Sequence, residues 1–284
     1  MQVRKRIEDM ADGLTATERR LASAILADYP FAGLEPIQGL AERTKISSPT
    51  ISRFVTKLGF QGYQDFQQHL IAELKEGQRS PVDLQKTSRP FRDAFLHDFM
   101  DRSATLVSET ADAVGEAQFD RVCGLLTDRK RAIYLIGGRM STSIAHYLSF
   151  HLRQFRAKVY HIPADPEVWP EYVLRMKPRD ILFIADFRRY QKALLRLAEQ
   201  ADGNANAHIL LMTDKWLSPI SRHARDVLAV PIDNGTLWDS YAGALALAEA
   251  IVTRIAETNW DETRKRIETW DSLRLDFGDP EDDR

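Results

Sequence analysis

The chain has 284 residues, 39 Lys plus Arg against 41 Asp plus Glu, and a pI near 6.4. That length exceeds one ordinary core and suits two domains, while the balanced charge excludes a polycation, so any affinity for DNA must come from a local basic patch. The single cysteine, Cys123, excludes an internal disulfide and a Cys-rich metal site.

The N-terminus, MQVRKRIEDMADG, has no apolar run after its basic residues and does not read as a signal peptide. No stretch approaches the roughly 18 apolar residues of a membrane span, so the expected compartment is the cytoplasm, with no membrane partner. Residues 1–76 read as all helix. Arg4 to Met10 form a short amphipathic lead. Thr15 or Thr17 caps the next helix, with Glu18 near its positive end. Leu21, Ile25 and Leu26 form its core stripe, and Tyr29-Pro30 ends it.

From Pro36 to Tyr63 the pattern is two short helices joined by a tight turn. Ile37, Leu40 and Ala41 give the first an apolar face. Ile46 fills the turn, Ser47 or Ser48 accepts from the opening N–H groups of the second helix, and Pro49 suits its first position. Ile51, Val55 and Leu58, with Phe54 beside them, form the buried face, and Gly59 stops the helix. No acid occurs between Glu42 and Asp65. The candidate DNA contacts are Ser48, Thr50, Ser52, Arg53, Thr56 and Lys57. Thr50, Ser52 and Arg53 would face bases, and Lys57 would face phosphate. Spacing alone also admits a helical hairpin with a solvated basic face.

Phe60, Tyr63 and Phe66 are spaced to pack back on this unit, and Phe66, Leu70 and Leu74 continue a last helix. A polar linker with Pro81 and Pro90 follows, taken as residues 77–92. Residues 93–275 read as a second domain, and 276–284 as an acidic tail. A long helix spans Phe91 to Val114, with Phe95, Phe99 and Leu106 apolar, and a shorter one spans Phe119 to Leu126.

From Arg131 the period changes. Strand-like runs are Ala132 to Ile136, Lys158 to Ile162, Asp180 to Ala185, His208 to Met212 and Val227 to Val230. Helical segments lie between them at Thr142 to Phe155, Glu167 to Met176, Gln191 to Ala201 and near Ile220. Such alternation predicts a parallel sheet covered on both faces. Ligands then bind at the carboxyl ends of strands, in the loops after Ile136, Ala185 and Val230. In the first loop, Gly137 and Gly138 let backbone N–H groups approach an anion, and Ser141 can add a hydroxyl; a tight strand-helix turn explains the same residues. In the second, Asp186, Arg188 and Arg189 favour a carboxylate or phosphate ligand, unless Asp186 pairs with one arginine structurally. The helix Leu237 to Ala256 is nearly apolar around its circumference, as a buried helix or one at a subunit contact would be.

Leu14 to Glu18, Leu21 to Pro30, Leu40 to Glu42 and Ser47 to Phe66 resemble the N-terminal domain of the RpiR/MurR family of bacterial transcription regulators. Lys45 departs from it, standing where the family usually has Gly in the turn. Arg131 to about Thr258 resembles a SIS (sugar isomerase) domain, that family's effector domain. Gly137 to Ala145 is similar to its first phosphate-binding loop, with Arg139 in place of a glycine. Ser218-Pro219, Ala224, Asp226 and Val227 match the stretch before its last strand, and Ser240 a serine opening its next helix. At the second loop the family's Ser-x-Ser-Gly-x-Thr cradle is replaced: Asp186 and Arg188 stand for the serines, Arg189 for the glycine and Gln191 for the threonine.

The resemblance implies an α plus α/β protein: an all-helical helix-turn-helix domain and a SIS-like parallel-sheet αβα sandwich. It implies a cytoplasmic regulator that binds a double-stranded DNA operator as a homodimer or homotetramer and responds to a small anionic effector, a phosphosugar or a carboxylate. The ligand-binding candidates are Gly137, Gly138, Ser141, Asp186, Arg188, Arg189 and Ser240. No cofactor, metal site or catalytic residue is expected. SIS isomerases use a Glu or His base, and between Pro231 and Ala248 only Asp233 and Asp239 are acidic. The alternatives are a SIS-type sugar-phosphate isomerase or sugar-binding enzyme with a helical assembly domain, and a regulator whose pocket has degenerated.

Overall fold

A computed structural model describes residues 3–273. The acidic tail 276–284 and the last residues assigned to the second domain lie outside them. The N-terminal unit is helical: α1 (Val3–Asp9), α2 (Ala16–Ala27), α3 (Ile37–Thr44), α4 (Ser48–Lys57) and α5 (Tyr63–Glu76). Thr15, not Thr17, caps α2. Glu18 N–H donates to Thr15 Oγ1 (3.3 Å) while Thr15 N–H donates to Glu18 Oε2 (2.8 Å), so two otherwise orphaned amides are satisfied together. Leu21, Ile25, Leu40, Ile51, Phe54, Val55, Leu58, Phe60, Phe66 and Leu70 meet in one core. Leu26 stays at its margin.

The linker is not featureless. Ser80 and Asp83 form a capping box that opens α6 (Pro81–Gln85), and Leu84 is buried. Arg89 N–H then donates to Gly235 O (2.8 Å), which fastens the linker to the second domain.

Next come α7 (Phe95–Val114), α8 (Glu116–Thr127), β1 (Ile133–Gly137), α9 (Thr142–Phe155), β2 (Val159–His161), α10 (Trp169–Arg175), β3 (Ile181–Ala185), α11 (Lys192–Ala205), β4 (His208–Asp214), β5 (Asp226–Val230), α12 (Ala242–Thr258) and α13 (Trp260–Ser272). A 3-10 turn, Pro219–Arg222, replaces the helix expected near Ile220. The expected apolar face of α7 is also different: Leu106 is buried, but Phe95 is 58% exposed. Asp98 is buried in its place, held by Arg92 and Arg102.

The five strands are all parallel in the order β2-β1-β3-β4-β5. Successive side chains alternate between two cores. Ile133, Leu135, Ile181, Phe183, Leu210 and Met212 face α8, α9 and α12. Tyr134, Ile136, Leu182, Ile184, Ile209 and Leu211 face α10 and α11. A wholly buried side chain such as Phe183 contributes about 1.5–3 kcal/mol. The chain runs from β1 outward to β2, then crosses to β3 on the other side of β1, so the strand order reverses between β1 and β3. Crevices form there, beyond the carboxyl ends of the strands.

The two units share an interface. Leu217, from the segment after β4, enters the helical core. Arg222 stacks 4.4 Å over Phe31 and pairs with Asp28 at 3.7 Å. Gly77, just past α5, accepts the Arg189 N–H through its carbonyl (2.9 Å). No helix among the described residues is long and apolar enough to cross a membrane.

Helix α12 lies so close to α7 that a Cβ on Gly243 would stand 2.2 Å from Thr110 Oγ1 and 3.0 Å from the Leu106 carbonyl oxygen. Gly243→Val should therefore overpack this contact and lower stability by roughly 1–3 kcal/mol in urea unfolding.

Candidate DNA-reading helix and effector cavity

Helix α4 buries Ile51, Phe54 and Val55 and turns Arg53, Thr56 and Lys57 to solvent, with Ser48, Thr50 and Ser52 half-buried. Lys45 takes the left-handed conformation (φ 54°, ψ 40°) that ends α3, and its N–H reaches the Ala41 and Glu42 carbonyls. A lysine there costs about 1 kcal/mol relative to a glycine, and the turn forms nonetheless. The expected serine cap is not made. Ser47 occupies the cap position, but its Oγ lies 2.9 Å from Thr50 Oγ1 rather than on a helix amide. Ser48 is already the first helical residue and Pro49 the second.

The outer face is not uniformly available. Thr56 Oγ1 donates to the Ser52 carbonyl (3.0 Å). Lys57, assigned to phosphate, is held across the domain: its ammonium donates to Glu18 Oε2 (2.9 Å) and Gly13 O (3.1 Å). The hydrogen bond from Lys57 is the main reason the Glu18 carboxyl is held below its usual range, followed by the Thr15 amide. Arg53 makes no hydrogen bond or ion pair among the described residues. It is the cation of α4 left uncommitted among the described residues.

At the strand-order reversal lies a cavity of about 220 Å³, lined by Gly138 to Ser141, by Asp186 to Arg189 and Gln191, and by Asp239 and Tyr241. Its walls are thus the three loops expected from the strand ends. Gly137 is required where it stands, since a Cβ would fall 2.5 Å from the Ser141 carbonyl oxygen. In the first loop, however, two of the expected donors turn inward. Gly138 N–H is shared between Ala185 O (3.0 Å) and Ser141 Oγ (2.9 Å), and Ser141 gives its own proton to Ala185 O (2.6 Å). The opening amides of α9 are also committed, Thr142 N–H to Gly138 O and Ile144 N–H to Ser141 O. Of the anion cradle expected of Gly137, Gly138 and Ser141, the Gly138 amide and the Ser141 hydroxyl are therefore spent on the Ala185 carbonyl, while the Arg139, Met140 and Ser141 amides make no hydrogen bond among the described residues. Ser240 sits between two lining residues but does not line the cavity; its Oγ accepts from Ala242 N–H (3.3 Å).

The second loop carries the charge. Asp186 does not pair with an arginine. Its Oδ2 accepts from the Ser218 hydroxyl (2.6 Å) and its Oδ1 from Gln191 N–H (3.3 Å). Burial pushes its carboxyl up to about 7, against the pull of those two hydrogen bonds. The Arg188 side chain is fully buried and approaches Asp239 instead, Nε to Oδ1 at 3.2 Å. Its guanidinium stacks 4.1 Å over the Trp216 ring, yet none of its three nitrogens makes a hydrogen bond. Arg189 is exposed, with φ 66°.

Asp214 joins the elements behind this loop. It is wholly buried and accepts from the Arg188 amide (2.6 Å), the Tyr190 hydroxyl (2.8 Å) and the Trp216 amide (2.9 Å). Burial raises its carboxyl to about 6, and the three donors oppose that shift. Asp214, Trp216, Gly77 and Tyr241 were not among the residues anticipated. The legible signal was the acid closing the apolar run of β4. Among the described residues, no cluster of three or more His, Cys, Asp or Glu could hold a metal ion.

Residues 1–77 match the profile of the helix-turn-helix domain, rpiR family, and residues 125–254 that of the SIS domain. The chain is 23% identical over 262 residues to the HTH-type transcriptional regulator HexR of Escherichia coli, covering 92% of this chain and 88% of that protein. The structure of the Vibrio vulnificus NanR protein complexed with ManNAc-6P is similar at TM-score 0.54 and 19% identity, over 96% of this chain and 97% of that one. The sugar isomerase domain of an RpiR transcription factor from Sphaerobacter thermophilus is similar at TM-score 0.58 and 15% identity, over 64% of this chain and all (100%) of that one.

The raised Asp186 carboxyl has a signed consequence. Below the ordinary carboxyl range both folded and unfolded chains bind its proton. As pH climbs from about 4 toward 7 only the unfolded chain releases it, so stability is lost across that window at about 1.4 kcal/mol per pH unit at most. Asp186→Asn should flatten this part of the stability profile, read by thermal unfolding between pH 4 and 8.

Proposed function

Because the chain belongs to the rpiR family of helix-turn-helix proteins carrying a SIS domain, we propose that it is a sugar-derivative-sensing transcription regulator. In this reading residues 1–76 read a double-stranded operator, 77–92 connect, and 93–275 bind a small anionic effector and pair the subunits. A homodimer or other even-numbered assembly in the cytoplasm suits a single helix-turn-helix that must reach two half-sites. Similarity over most of the chain to a regulator named HexR supports the regulatory role. Likeness to NanR with ManNAc-6P bound supports a carbohydrate-derived effector.

The observation that carries the reading is the bond from Arg189 N–H, on the effector loop, to Gly77 O, where the DNA-reading domain ends. A Cβ on Gly77 would stand 3.1 Å from the Tyr190 hydroxyl and 3.3 Å from Trp216 Cβ, so loop and linker are in direct packing contact. A ligand that rearranges Arg188 to Tyr190 must disturb that contact, which supplies the differential interaction an allosteric effect needs. Of the expected ligand residues, Arg188, Arg189 and Asp186 keep this role, and Ser141, Gly137 and Gly138 shape the loop.

The second reading is a SIS-type isomerase, and one observation favours it: a carboxyl near 7 suits a general base. Both Asp186 oxygens, however, already accept hydrogen bonds, and no Glu or His lines the cavity. We therefore assign no catalysis.

Selection of genomic fragments on the purified protein should enrich a site with two related half-sites. Arg53→Ala should cost roughly 1–3 kcal/mol on that site, measured by salt-dependent titration. Equal and feeble binding by wild type and variant would refute the DNA-reading role.

A further inference from the structure

Behind the cavity wall, next to Asp239, lies a guanidinium that the protein has not satisfied. Arg188 is sealed from solvent with all three nitrogens lacking hydrogen bonds. A buried ion without such bonds keeps its desolvation penalty, and Trp216 offers only a stacking face. The ring holds the guanidinium in place on one side, and a fork with open donors is suited to a two-oxygen partner. The nearest anion is Asp239, which meets it at Nε alone and out of hydrogen-bond alignment. Asp239 belongs to the segment between β5 and α12, where its neighbour Trp238 is 61% exposed. It is a carboxylate resting loosely in a carboxylate's seat.

We propose that the effector is a sugar acid without a phosphate, whose carboxylate displaces Asp239 and takes both terminal nitrogens of Arg188. This rests on the sensor reading above and specifies its ligand. A phosphate would need donors around three oxygens. Two of the donors expected there, Gly138 N–H and Ser141 Oγ–H, are turned to the Ala185 carbonyl, and beside its free backbone amides the loop adds no second cation that a hydrogen bond among the described residues fixes in the cavity. A dianion in that seat would bring twice the charge of the carboxylate it replaces up to Asp186, whereas a monoanion exchanges one carboxylate for another. Gln191 and the freed Asp239 can serve ligand hydroxyls. Phe187 and Tyr241, whose rings lie 5.0 Å apart, can cover the carbon face of a sugar chain. The volume is below the roughly 300–1,000 Å³ of drug-sized pockets, so the ligand is small.

The test is calorimetric titration of the full chain with D-gluconate and D-galacturonate, and in parallel with D-glucose 6-phosphate and inorganic phosphate. The proposal expects at least one acid to bind, at least tenfold more tightly than either phosphate. Asp239→Asn, which removes the resident carboxylate, should tighten the acid severalfold. Arg188→Lys, which keeps the charge but loses the fork, should weaken it at least tenfold, with its folding checked by operator binding. Preferential binding of the phosphosugar would overturn the ligand class and leave a sensor. Binding of neither class by a protein that still grips its operator would overturn the sensor reading with it. Unchanged or weakened acid affinity in Asp239→Asn, the milder variant, would overturn the displacement.

Discussion

The arrangement of this protein depends on one buried carboxylate. Asp214 closes β4 and is surrounded by protein, so its charge is tolerable only because three donors converge on it. Those donors come from both loops that matter. The Arg188 amide and Tyr190 hydroxyl fix the loop after β3, and the Trp216 amide fixes the segment after β4. Trp216 in turn carries the Arg188 guanidinium on its face, and Leu217, the next residue, is part of the helical core. One acid thereby sets the loop after β3, the stacking platform and the docking point of the helical unit.

On the proposed function, that geometry makes the link between sensing and DNA reading short. No long chain of contacts is needed, because the loop lining the cavity also donates to the carbonyl at the end of α5. The DNA-reading face has its own internal restraint. Lys57 is spent on Glu18 and Gly13, which leaves Arg53 as the uncommitted cation of α4. An exposed pair such as Lys57 with Glu18 contributes at most about 1 kcal/mol, so phosphate could still claim the lysine on binding.

Much of the fold was legible in the sequence because its signals are local. The apolar runs of β1, β3 and β4 are buried on both faces, which only a covered parallel sheet explains. Ile51, Phe54 and Val55 stand at helical spacing and pack as that spacing requires. Helix α13 was missed because it has almost no buried face: Thr263 alone is buried, and Trp260 and Trp270 are half exposed. Helix α6 was missed because it has only five residues, too few for a period to show. At the site, the strand-end rule located the loops, and Arg188 and Asp186 were singled out as charges in a place meant for small residues. Their partners were not legible. Which acid Arg188 meets, and that Gly77 lies under Tyr190, are facts of tertiary packing between segments far apart in the chain. The inward turn of the Gly138 amide and the Ser141 hydroxyl was hidden for the same reason, since the Ala185 carbonyl they meet belongs to another strand.

Coupling between two binding sites is reciprocal, so the central claim can be tested without the effector in hand. Amide hydrogen exchange across Asp186 to Gln191 would be measured with and without a selected operator fragment. If the effector loop and the DNA-reading domain are joined through Gly77, operator binding changes the exchange of the Arg189 amide as well as protecting the segment around α4. Protection at α4 with no change anywhere in Asp186 to Gln191 would contradict the account and leave the two units as independent modules.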